Sequence, residues 1–455
     1  MATTTKKVTL GIDIGTTKVA AALVDAETKG VLATASQPHE SDVQGLSEGR
    51  SEQVVARIVS ALESCILSLP AELRAGVISI GATGQMHGVV LWNPDSGHVS
   101  HLVTWQDQRC LEDNFLEQLR SKTGDATAQS GYGTSTLSWL SSNDAEFLRR
   151  FSKAATIHDY LVAMITGNPD ACTDPSNAAS WGMFDLRGRS WDIAKVQRAG
   201  VAPSLLPEVK PAGAIIGRLS ERFAGRWGIP VGIPVGNALG DNQASLYGSL
   251  TNPAEQVALT VGTGAQLSVV VSKLPAVLPN AQSTFEFRPY VGDSYIAVAA
   301  SLTGGRALAA LGKAIEEFLL RLGLREVPTL DQIQTAMHEQ GMLAIATDLR
   351  ANPSLSGERY APSMRGSFSE LSFDNFTVGD MTSALCRGLV TGLRNALPTE
   401  YLVGRSEVVG SGNAIRRSAL MQQTIREVFG CSLALTEGSE TTACGAALLV
   451  ANQRE

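Results

Sequence analysis

The segment at residues 11–17 (GIDIGTT) combines one acid with two hydroxyl side chains at the end of an apolar run. Asp13 would lie at the end of a buried strand, and Gly15 would allow close approach of the backbone. Thr16 and Thr17 offer hydroxyl and N–H donors to phosphate oxygens. The segment therefore has the layout of a phosphate-binding β-hairpin, although Gly-Thr-Thr is equally typical of an ordinary hairpin turn.

Two later glycine clusters have a similar potential. The Gly-Thr-Gly turn at 262–264 separates two apolar runs, and its N–H groups could cradle a second part of a phosphate chain. The Gly-Ser-Gly-Asn cluster at 410–413 precedes a helical pattern, so a nucleotide could lie against its backbone at a helix N-terminus. This cluster lacks the full G-x-G-x-x-G spacing, and no G-x-x-x-x-G-K-[ST] occurs, which weakens the Rossmann and P-loop interpretations.

A second acid, Asp241, lies in PVGNALGDNQASLYG between an apolar strand and the small-residue run that starts a helix. An acid at a strand end beside an interdomain crevice is well placed to meet a hydroxyl group. The alternative is a helix N-cap, which aspartate often provides. The residue types alone leave both interpretations open.

Two polar clusters could recognise a small polar ligand. Gln85 and His87 follow directly after a predicted strand, at the carboxyl end where ligands bind in α/β sheets, although His87 could equally be a packed loop histidine. The segment at 105–109 (WQDQR) joins an aromatic face to amides, an acid and a guanidinium. Recognition of a polyol needs this mixture, because apolar stacking covers the C–H faces while polar groups bond the hydroxyls.

Strand-like apolar runs alternate with helix-length amphipathic segments, which is typical of an α/β protein. The pattern predicts three early strands, a helix and a further strand, at residues 8–14, 19–24, 31–35, 51–69 and 76–82. This is the order of a ribonuclease H-like half. A second series begins near residue 256, where two apolar runs flank the second glycine-threonine turn and repeat the layout of the first segment.

The length of 455 residues predicts two large domains, or three at most. The repeated layout places the boundary near residues 247–253, so we predict domains at 1–248 and 249–455. A net charge of −7 without a basic run disfavours nucleic-acid binding. No apolar stretch reaches the roughly 18 residues that a membrane span needs. The six scattered cysteines suggest neither a zinc site nor a disulfide framework, so we expect a cytoplasmic protein.

The chain resembles the FGGY carbohydrate kinases, which share the two-domain architecture of actin and hexokinase. Besides GIDIGTT, the resemblance rests on GQMHG at 84–88, WQDQR at 105–109, TDPSNAAS at 173–180, LGDNQA at 239–244, VGTGA at 261–265, SLTGG at 301–305, SGERYAP at 356–362 and GSGNA at 410–414. It implies an α/β fold of two ribonuclease H-like domains around a central cleft. The N-terminal domain would bind sugar and phosphate, and the C-terminal domain would bind the nucleotide.

The resemblance also implies a role for each candidate residue. Asp241 would be the general base that accepts the proton of the sugar hydroxyl, and Asp13 would hold Mg²⁺. The phosphates of ATP would contact Thr16, Thr17, Lys18, Gly262, Thr263 and Gly264, and adenosine would lie along Gly304, Gly410, Ser411, Gly412 and Asn413. The sugar would be held by Gln85, His87, Trp105, Gln106, Asp107, Asp241 and Asn242.

Two segments depart from the family pattern. Gly-Thr-Gly-Ala at 262–265 replaces the more usual Gly-Thr-Ser-Gly but keeps the glycine and threonine that phosphate contact needs. Ser411 stands where many relatives carry glycine, which could shift the adenosine contact.

Within the family, the segments HLVTWQDQRC, TIHDYLVAMITG, NAASWGMFD and ALCRGLV are similar to the branch whose substrate is sedoheptulose. The implied reaction transfers the γ-phosphoryl group of ATP to the terminal hydroxyl of this ketose, which gives sedoheptulose 7-phosphate. A pentulose kinase for xylulose or ribulose is the alternative. A non-catalytic nucleotide-binding protein of the actin or chaperone type is more remote. The expected partners are a small-molecule sugar and ATP, with neither nucleic acid nor membrane, in a monomer or homodimer.

Overall fold

The computed structural model describes residues 6–280, 282–358, 360–436 and 440–453. The chain divides into two compact units. Unit 1 comprises Met1–Ser249, Pro289–Asp293 and Gly438–Glu455, and unit 2 comprises Leu250–Arg288 and Ser294–Glu437. The last helix therefore groups with unit 1, whereas the sequence placed every residue after 248 in the second domain.

Unit 1 contains fifteen strands and ten helices before residue 250 among its described residues. The strands are β1 (Val8–Ile14), β2 (Lys18–Asp25), β3 (Val31–Pro38), β4 (Glu52–Gln53), β5 (Val77–Gly84), β6 (Val90–Trp92), β7 (Leu102–Val103), β8 (Lys153–Ala155), β9 (Cys172–Thr173), β10 (Phe184–Asp185), β11 (Ser190–Trp191), β12 (Glu208–Val209), β13 (Ile215–Arg218), β14 (Pro234–Gly236) and β15 (Leu239–Gly240). The helices are α1 (Val55–Leu67), α2 (Ala71–Arg74), α3 (Phe115–Thr123), α4 (Gly133–Asn143), α5 (Ala145–Leu148), α6 (Ile157–Thr166), α7 (Pro175–Ser180), α8 (Ile193–Arg198), α9 (Glu221–Trp227) and α10 (Asp241–Ser249).

The main sheet of unit 1 has seven strands, in the order β13-β14-β5-β1-β2-β3 with β15 also paired to β5. The first three strands form an antiparallel meander, and β5 and β14 then add in parallel orientation. This is the ribonuclease H-like order that the sequence predicted. Strands β1 and β2 read as nearly continuous apolar runs because both of their faces are covered. One covering element is α1, whose buried residues Val55, Ile58, Leu62 and Ile66 recur at helical spacing.

Unit 2 repeats this arrangement. Its strands are β16 (Gln256–Val261), β17 (Ala265–Val271), β18 (Phe285–Pro289), β19 (Tyr295–Ser301), β20 (Arg350–Asn352), β21 (Ser367–Ser369), β22 (Glu407–Ser411) and β23 (Ser432–Leu435). Its helices are α11 (Arg306–Arg321), α12 (Leu330–Leu343), α13 (Val378–Ala396), α14 (Asn413–Arg416) and α15 (Ala419–Phe429). The main sheet has the order β18-β19-β17-β16-β22-β23, in which β16, β17 and β19 are antiparallel and β22 and β23 add in parallel.

The last helix, α16 (Thr441–Ala451), packs in unit 1 against β1, β5 and α10. The contacts are so close that glycine is required on both surfaces. A Cβ atom on Gly11 would lie 1.8 Å from the Ala443 carbonyl oxygen, and one on Gly445 would lie 1.9 Å from the Ala244 carbonyl oxygen. The helix is therefore seated directly behind the strand that carries Asp13 and the helix that begins with Asp241.

Candidate functional site

Three strand ends lie side by side in unit 1. In the parallel pairing, Gly84 of β5 is opposite Ile14 of β1 on one side and Gly240 of β15 on the other. The residues beside these positions are Asp13 and Asp241, together with Gln85. Because the carboxyl ends of parallel strands meet at one edge, the sheet brings two acids that are far apart in sequence into one neighbourhood.

The carboxyl group of Asp13 is strongly perturbed. Its Oδ1 atom is buried and has no hydrogen-bond partner among the described residues. Burial, together with the negative charges of Asp241 and Glu440, raises the pKa of Asp13 to about 7, while Lys18 opposes the rise. A carboxyl group with an unused oxygen and two acidic neighbours favours a bound cation or a proton at neutral pH.

Buried polar side chains form hydrogen bonds with the turn between β1 and β2. Gln53 donates from Nε2 to the Thr16 carbonyl (2.8 Å), and Gln85 donates to Gln53 Oε1 (3.0 Å). The His39 ring contacts the Gly15 carbonyl oxygen through Nε2 at 3.2 Å. These contacts use the carbonyl groups of the turn, as a phosphate-binding loop requires, because phosphate is bound by N–H and hydroxyl donors.

The structure brings the predicted sugar cluster and this turn together. The indole Nε1 of Trp105 donates to Thr16 Oγ1 at 3.0 Å, and the Trp105 side chain remains 42% exposed. Since the Thr16 hydroxyl accepts from the indole, its own proton is available for donation to an anion. Thr17 and Gln106 are also exposed near the two ends of this contact.

Lys18 forms a contact that the sequence did not predict. Its Nζ atom donates to both carboxylate oxygens of Glu440, at 2.7 and 2.9 Å, and Glu440 is almost fully buried. Glu440 immediately precedes α16, so the ion pair ties the start of β2 to the other end of the chain. The lysine that we expected to contact phosphate is thus engaged by a third acid beside Asp13.

His87 has a fixed ring orientation. Its backbone is in the left-handed region (φ 75°), the ring stacks on Tyr132 with 4.7 Å between centroids, and Nδ1 lies 2.6 Å from the Ser180 carbonyl oxygen. A carbonyl oxygen only accepts, so Nδ1 carries the proton and the neutral ring has its lone pair on Nε2. This arrangement suits a residue that accepts a hydrogen bond from a hydroxyl group.

Helix α7 supports both His87 and the Asp241 region. Asp174 caps the helix by accepting hydrogen bonds from the backbone of Ser176 and Asn177. The Ser176 hydroxyl is 3.1 Å from the Gly240 backbone nitrogen, and Ser180 contacts His87 through its hydroxyl and carbonyl groups. This segment belongs to one of the motifs of the family resemblance, which implies no role for it.

Asp107 lies in surroundings that favour a different role from the predicted sugar contact. It is only 1% exposed, and its carboxylate accepts hydrogen bonds from the Ser51 N–H and from the backbone and guanidinium of Arg109. Arg109 also pairs with Glu52 at 2.7 Å. Because these donors occupy the carboxylate, we propose a supporting role for Asp107 in place of the predicted sugar contact.

Asp241 begins α10, and its Oδ1 accepts a hydrogen bond from the Asn242 N–H at 2.6 Å. The Asp241 side chain therefore makes a local contact with the backbone of the next residue, in addition to any role in chemistry. The side-chain Nδ2 of Asn242 and Oε1 of Gln85 are buried and bonded to no described residue. Each is a polar atom that a hydroxyl-rich ligand could satisfy, since leaving it unpaired costs free energy.

The glycine-rich candidates of unit 2 gather at one edge of its sheet. The turn at Gly262, Thr263 and Gly264 follows β16. The cluster at 410–413 begins with the last two residues of β22, and β22 pairs in parallel with β16. Gly262 and Thr263 are exposed. Gly304 is buried beneath the turn, where its N–H donates to the Thr263 carbonyl oxygen at 2.9 Å. We therefore propose that Gly304 supports the phosphate turn in place of lining the adenosine site.

The cluster after β22 is shaped by its backbone. Gly412 has φ 92°, and a Cβ there would lie 2.3 Å from the Val261 carbonyl oxygen. Ser411 reaches Thr260 through a hydroxyl contact of 2.8 Å, which occupies the side chain that replaces the usual glycine. Asn413 is exposed at the start of α14.

Among the described residues, no group of three or more histidine, cysteine, aspartate or glutamate side chains could hold a metal ion. No helix in the same part of the chain is long and apolar enough to cross a membrane.

Comparison with known proteins gives a consistent result. Residues 8–248 match the model of the N-terminal domain of the FGGY family of carbohydrate kinases. A sedoheptulokinase of Homo sapiens is 36% identical over 487 residues, which cover 99% of this chain and 99% of the relative.

Two solved structures share the fold. A xylulose kinase from Rhodospirillum rubrum superposes with a TM-score of 0.82 at 22% identity, over 98% of this chain and 89% of that one. A Plasmodium falciparum glycerol kinase with ADP gives 0.78 at 20% identity, with the same two coverages of 98% and 89%.

Proposed function

Because the chain belongs to the FGGY family of carbohydrate kinases, as the sequence predicted, we propose that it transfers the γ-phosphoryl group of ATP to the terminal hydroxyl of sedoheptulose. The observation that carries the reaction type is the convergence of Asp13, Gln85 and Asp241 on three adjoining strand ends of unit 1. The sedoheptulose assignment rests on near full-length similarity to a sedoheptulokinase and on the four segments of that branch.

In the proposed mechanism Asp241 is the general base. Its carboxylate accepts the proton of the terminal hydroxyl while that oxygen attacks the γ-phosphorus, and the bond from phosphorus to the β–γ bridging oxygen breaks to release ADP. Phosphoryl transfer needs little covalent assistance, so positioning and charge neutralisation dominate the rate. His87 and Asn242 would orient the sugar, and Trp105 would stack on its C–H face.

Asp13 fits a magnesium site. Its buried, unpaired Oδ1 and raised pKa indicate a carboxylate that is more stable with a cation nearby. Mg²⁺ bound there through water would neutralise charge on the transferred phosphate. Lys18 is held in place by Glu440, so we propose that it contributes positive charge near the turn while it remains paired.

The nucleotide assignment rests on the loops of unit 2. The exposed residue Thr263 would bind phosphate oxygens through its backbone N–H, and the backbone of Gly410, Gly412 and Asn413, with Ser411, would lie along adenosine. In unit 1, Thr16 and Thr17 would supply hydroxyl donors to the phosphates. Gly264 closes the unit 2 turn by accepting from the Gly262 N–H at 2.9 Å.

The first experiment measures ADP release from Mg-ATP with sedoheptulose, xylulose, ribulose, glycerol or no sugar, and compares kcat/KM. We expect sedoheptulose to be preferred. A preference for xylulose or ribulose would keep the mechanism and overturn the substrate. If none of the sugars supports ADP release, the proposed reaction is overturned.

The second experiment tests the general base. Asp241→Asn keeps the shape of the side chain but cannot accept the proton, so kcat should fall by roughly 10²–10⁴-fold while the Kd for the sugar stays within about threefold. Asp95→Asn, an exposed loop acid, is the matched control and should leave kcat unchanged. Normal turnover in Asp241→Asn would reduce Asp241 to a capping residue.

A further inference from the structure

A buried carboxylate lies behind the glycine-rich edge of unit 2. Glu358 is 4% exposed. Its Oε1 accepts hydrogen bonds from the hydroxyl groups of Ser301 (2.6 Å) and Ser354 (3.1 Å), and its Oε2 accepts from the Leu302 N–H (3.0 Å). All of these donors are neutral groups, and hydrogen bonds to a charged acceptor are about twice as strong as neutral ones.

Two of the three donors belong to one loop. The SLTGG loop, residues 301–305, begins where β19 ends and leads into α11. Glu358 therefore holds the start of this loop through two hydrogen bonds, one from the Ser301 side chain and one from the Leu302 backbone. Ser354 lies on the same segment as Glu358, so its hydrogen bond steadies the carboxylate without touching the loop.

The SLTGG loop is in direct backbone contact with the turn at 262–264. The Gly304 N–H donates to the Thr263 carbonyl (2.9 Å), and the Gly305 N–H donates to the Gly262 carbonyl (2.8 Å). Residues Ala265 and Ser301 are opposite each other in the β17–β19 ladder. A Cβ on Gly304 would lie 2.3 Å from the Gly264 carbonyl oxygen, so the loop cannot shift toward the turn. The turn and the loop are therefore joined by two backbone hydrogen bonds and by the adjacent ladder pairing.

We propose that Glu358 is a positioning residue for nucleotide phosphate, a role that rests on the proposed kinase function. It holds the SLTGG loop, which in turn fixes the carbonyl groups of Gly262 and Thr263 and so orients the Thr263 N–H toward an anion. Glu358 itself touches no substrate. Its effect reaches the phosphates through Ser301 and Leu302, and then through Gly304 and Gly305.

The test compares Glu358→Ala, Glu358→Gln and Ser354→Ala in the full chain. Glu358→Ala removes every contact to the loop and should raise the KM for ATP and the Kd for ADP about tenfold, since the lost hydrogen bonds together exceed about 1.4 kcal/mol. Glu358→Gln can still accept from the Leu302 N–H and should recover part of the loss. Ser354→Ala should change both constants by less than about threefold. The KM for the sugar should stay within about twofold in all three variants.

Hydrogen exchange gives a second measurement that needs no activity. In Glu358→Ala, amides of the turn and the SLTGG loop should exchange at least about tenfold faster, while β16 and β22 keep their protection. Faster exchange throughout unit 2 would show a general scaffold role and overturn the proposal, as would an unchanged Kd for ADP. If the wild-type protein binds no ADP, the proposed function fails and the nucleotide part of the inference fails with it. Exchange then still shows whether Glu358 holds the loop. Should Glu358→Ala not fold, Ser301→Ala removes one loop contact and should show the same two effects at smaller size.

Discussion

Replacement of Asp13 by asparagine should stabilise unit 1 at pH 8 although it removes a residue that we assign to metal binding. The pKa of Asp13 rises from 3.8 to about 7 in the folded protein. Below pH 4 the carboxyl group is protonated in both the folded and the unfolded state. Between about pH 4 and pH 7 the unfolded chain releases the proton and the folded chain keeps it, so the stability falls as the pH rises.

The full pKa change corresponds to about 4 kcal/mol, at 1.36 kcal/mol for each pH unit. Asp13 is partly exposed at this strand end, so solvent screens part of the repulsion and we expect about 2 kcal/mol. Asparagine has no such ionisation. The free energy of unfolding of Asp13→Asn should therefore match the wild type near pH 5 within about 1 kcal/mol and exceed it by about 2 kcal/mol at pH 8.

Tryptophan fluorescence is a suitable assay because all six tryptophans of the chain lie in unit 1. Urea unfolding is followed at several pH values from 5 to 8 with a chelator present, so that no divalent ion neutralises Asp13. Asp95→Asn serves again as the control and should give a difference that does not depend on pH. The electrostatic reasoning is refuted if Asp13→Asn is no more stable than the wild type at pH 8, or if the difference is constant with pH.

Two further pairs of variants test the packing of α16 and the turn between β1 and β2. Gly11→Ala should lower the melting temperature of unit 1 by many degrees or prevent folding, because its Cβ would lie 1.8 Å from the Ala443 carbonyl oxygen. The control is Gly225→Ala in α9, where no atom lies within 4 Å of the new Cβ. This substitution should stabilise unit 1 by about 0.5–1 kcal/mol. An equal effect of the two substitutions in thermal unfolding would contradict the described seating of α16. Trp105→Phe keeps an aromatic face but loses the hydrogen bond to Thr16, so kcat/KM for ATP should fall roughly two- to tenfold. Thr16→Val also removes the hydroxyl donor to phosphate and should cost more than Trp105→Phe, and the double variant should cost no more than Thr16→Val alone. Additive losses would show that the indole and the hydroxyl act separately.

Much of the fold could be read from local patterns. The predicted strand at 8–14 coincides with β1, and the predicted runs near 19–24, 31–35 and 76–82 lie within or beside β2, β3 and β5. The predicted helix at 51–69 contains α1. These agreements are physical in origin, because strands covered on both faces must be apolar throughout and an amphipathic helix must repeat its apolar residues every three or four positions.

The candidate site could be predicted only in part. Glycine, threonine and aspartate at strand ends are compatible with phosphate chemistry but also with hairpin turns and helix caps, so the roles of Asp13, Thr16 and Asp241 follow from the family resemblance and stay predictions. The burial of Asp107 was not visible, since an acid beside a tryptophan and an arginine looks like a ligand contact until its donors from Ser51 and Arg109 are known.

The sequence by itself determined the family and the α/β class, because these depend on short segments whose composition is enough, and it predicted the kinds of residue that would handle phosphate and sugar. Only the tertiary structure decided which residues hold those segments. Lys18 and Glu440 are 422 positions apart, and Glu358 reaches Ser301 across 57 positions. No local pattern predicts such pairs, because they form only when sheet register and helix packing bring distant parts of the chain to the same strand end.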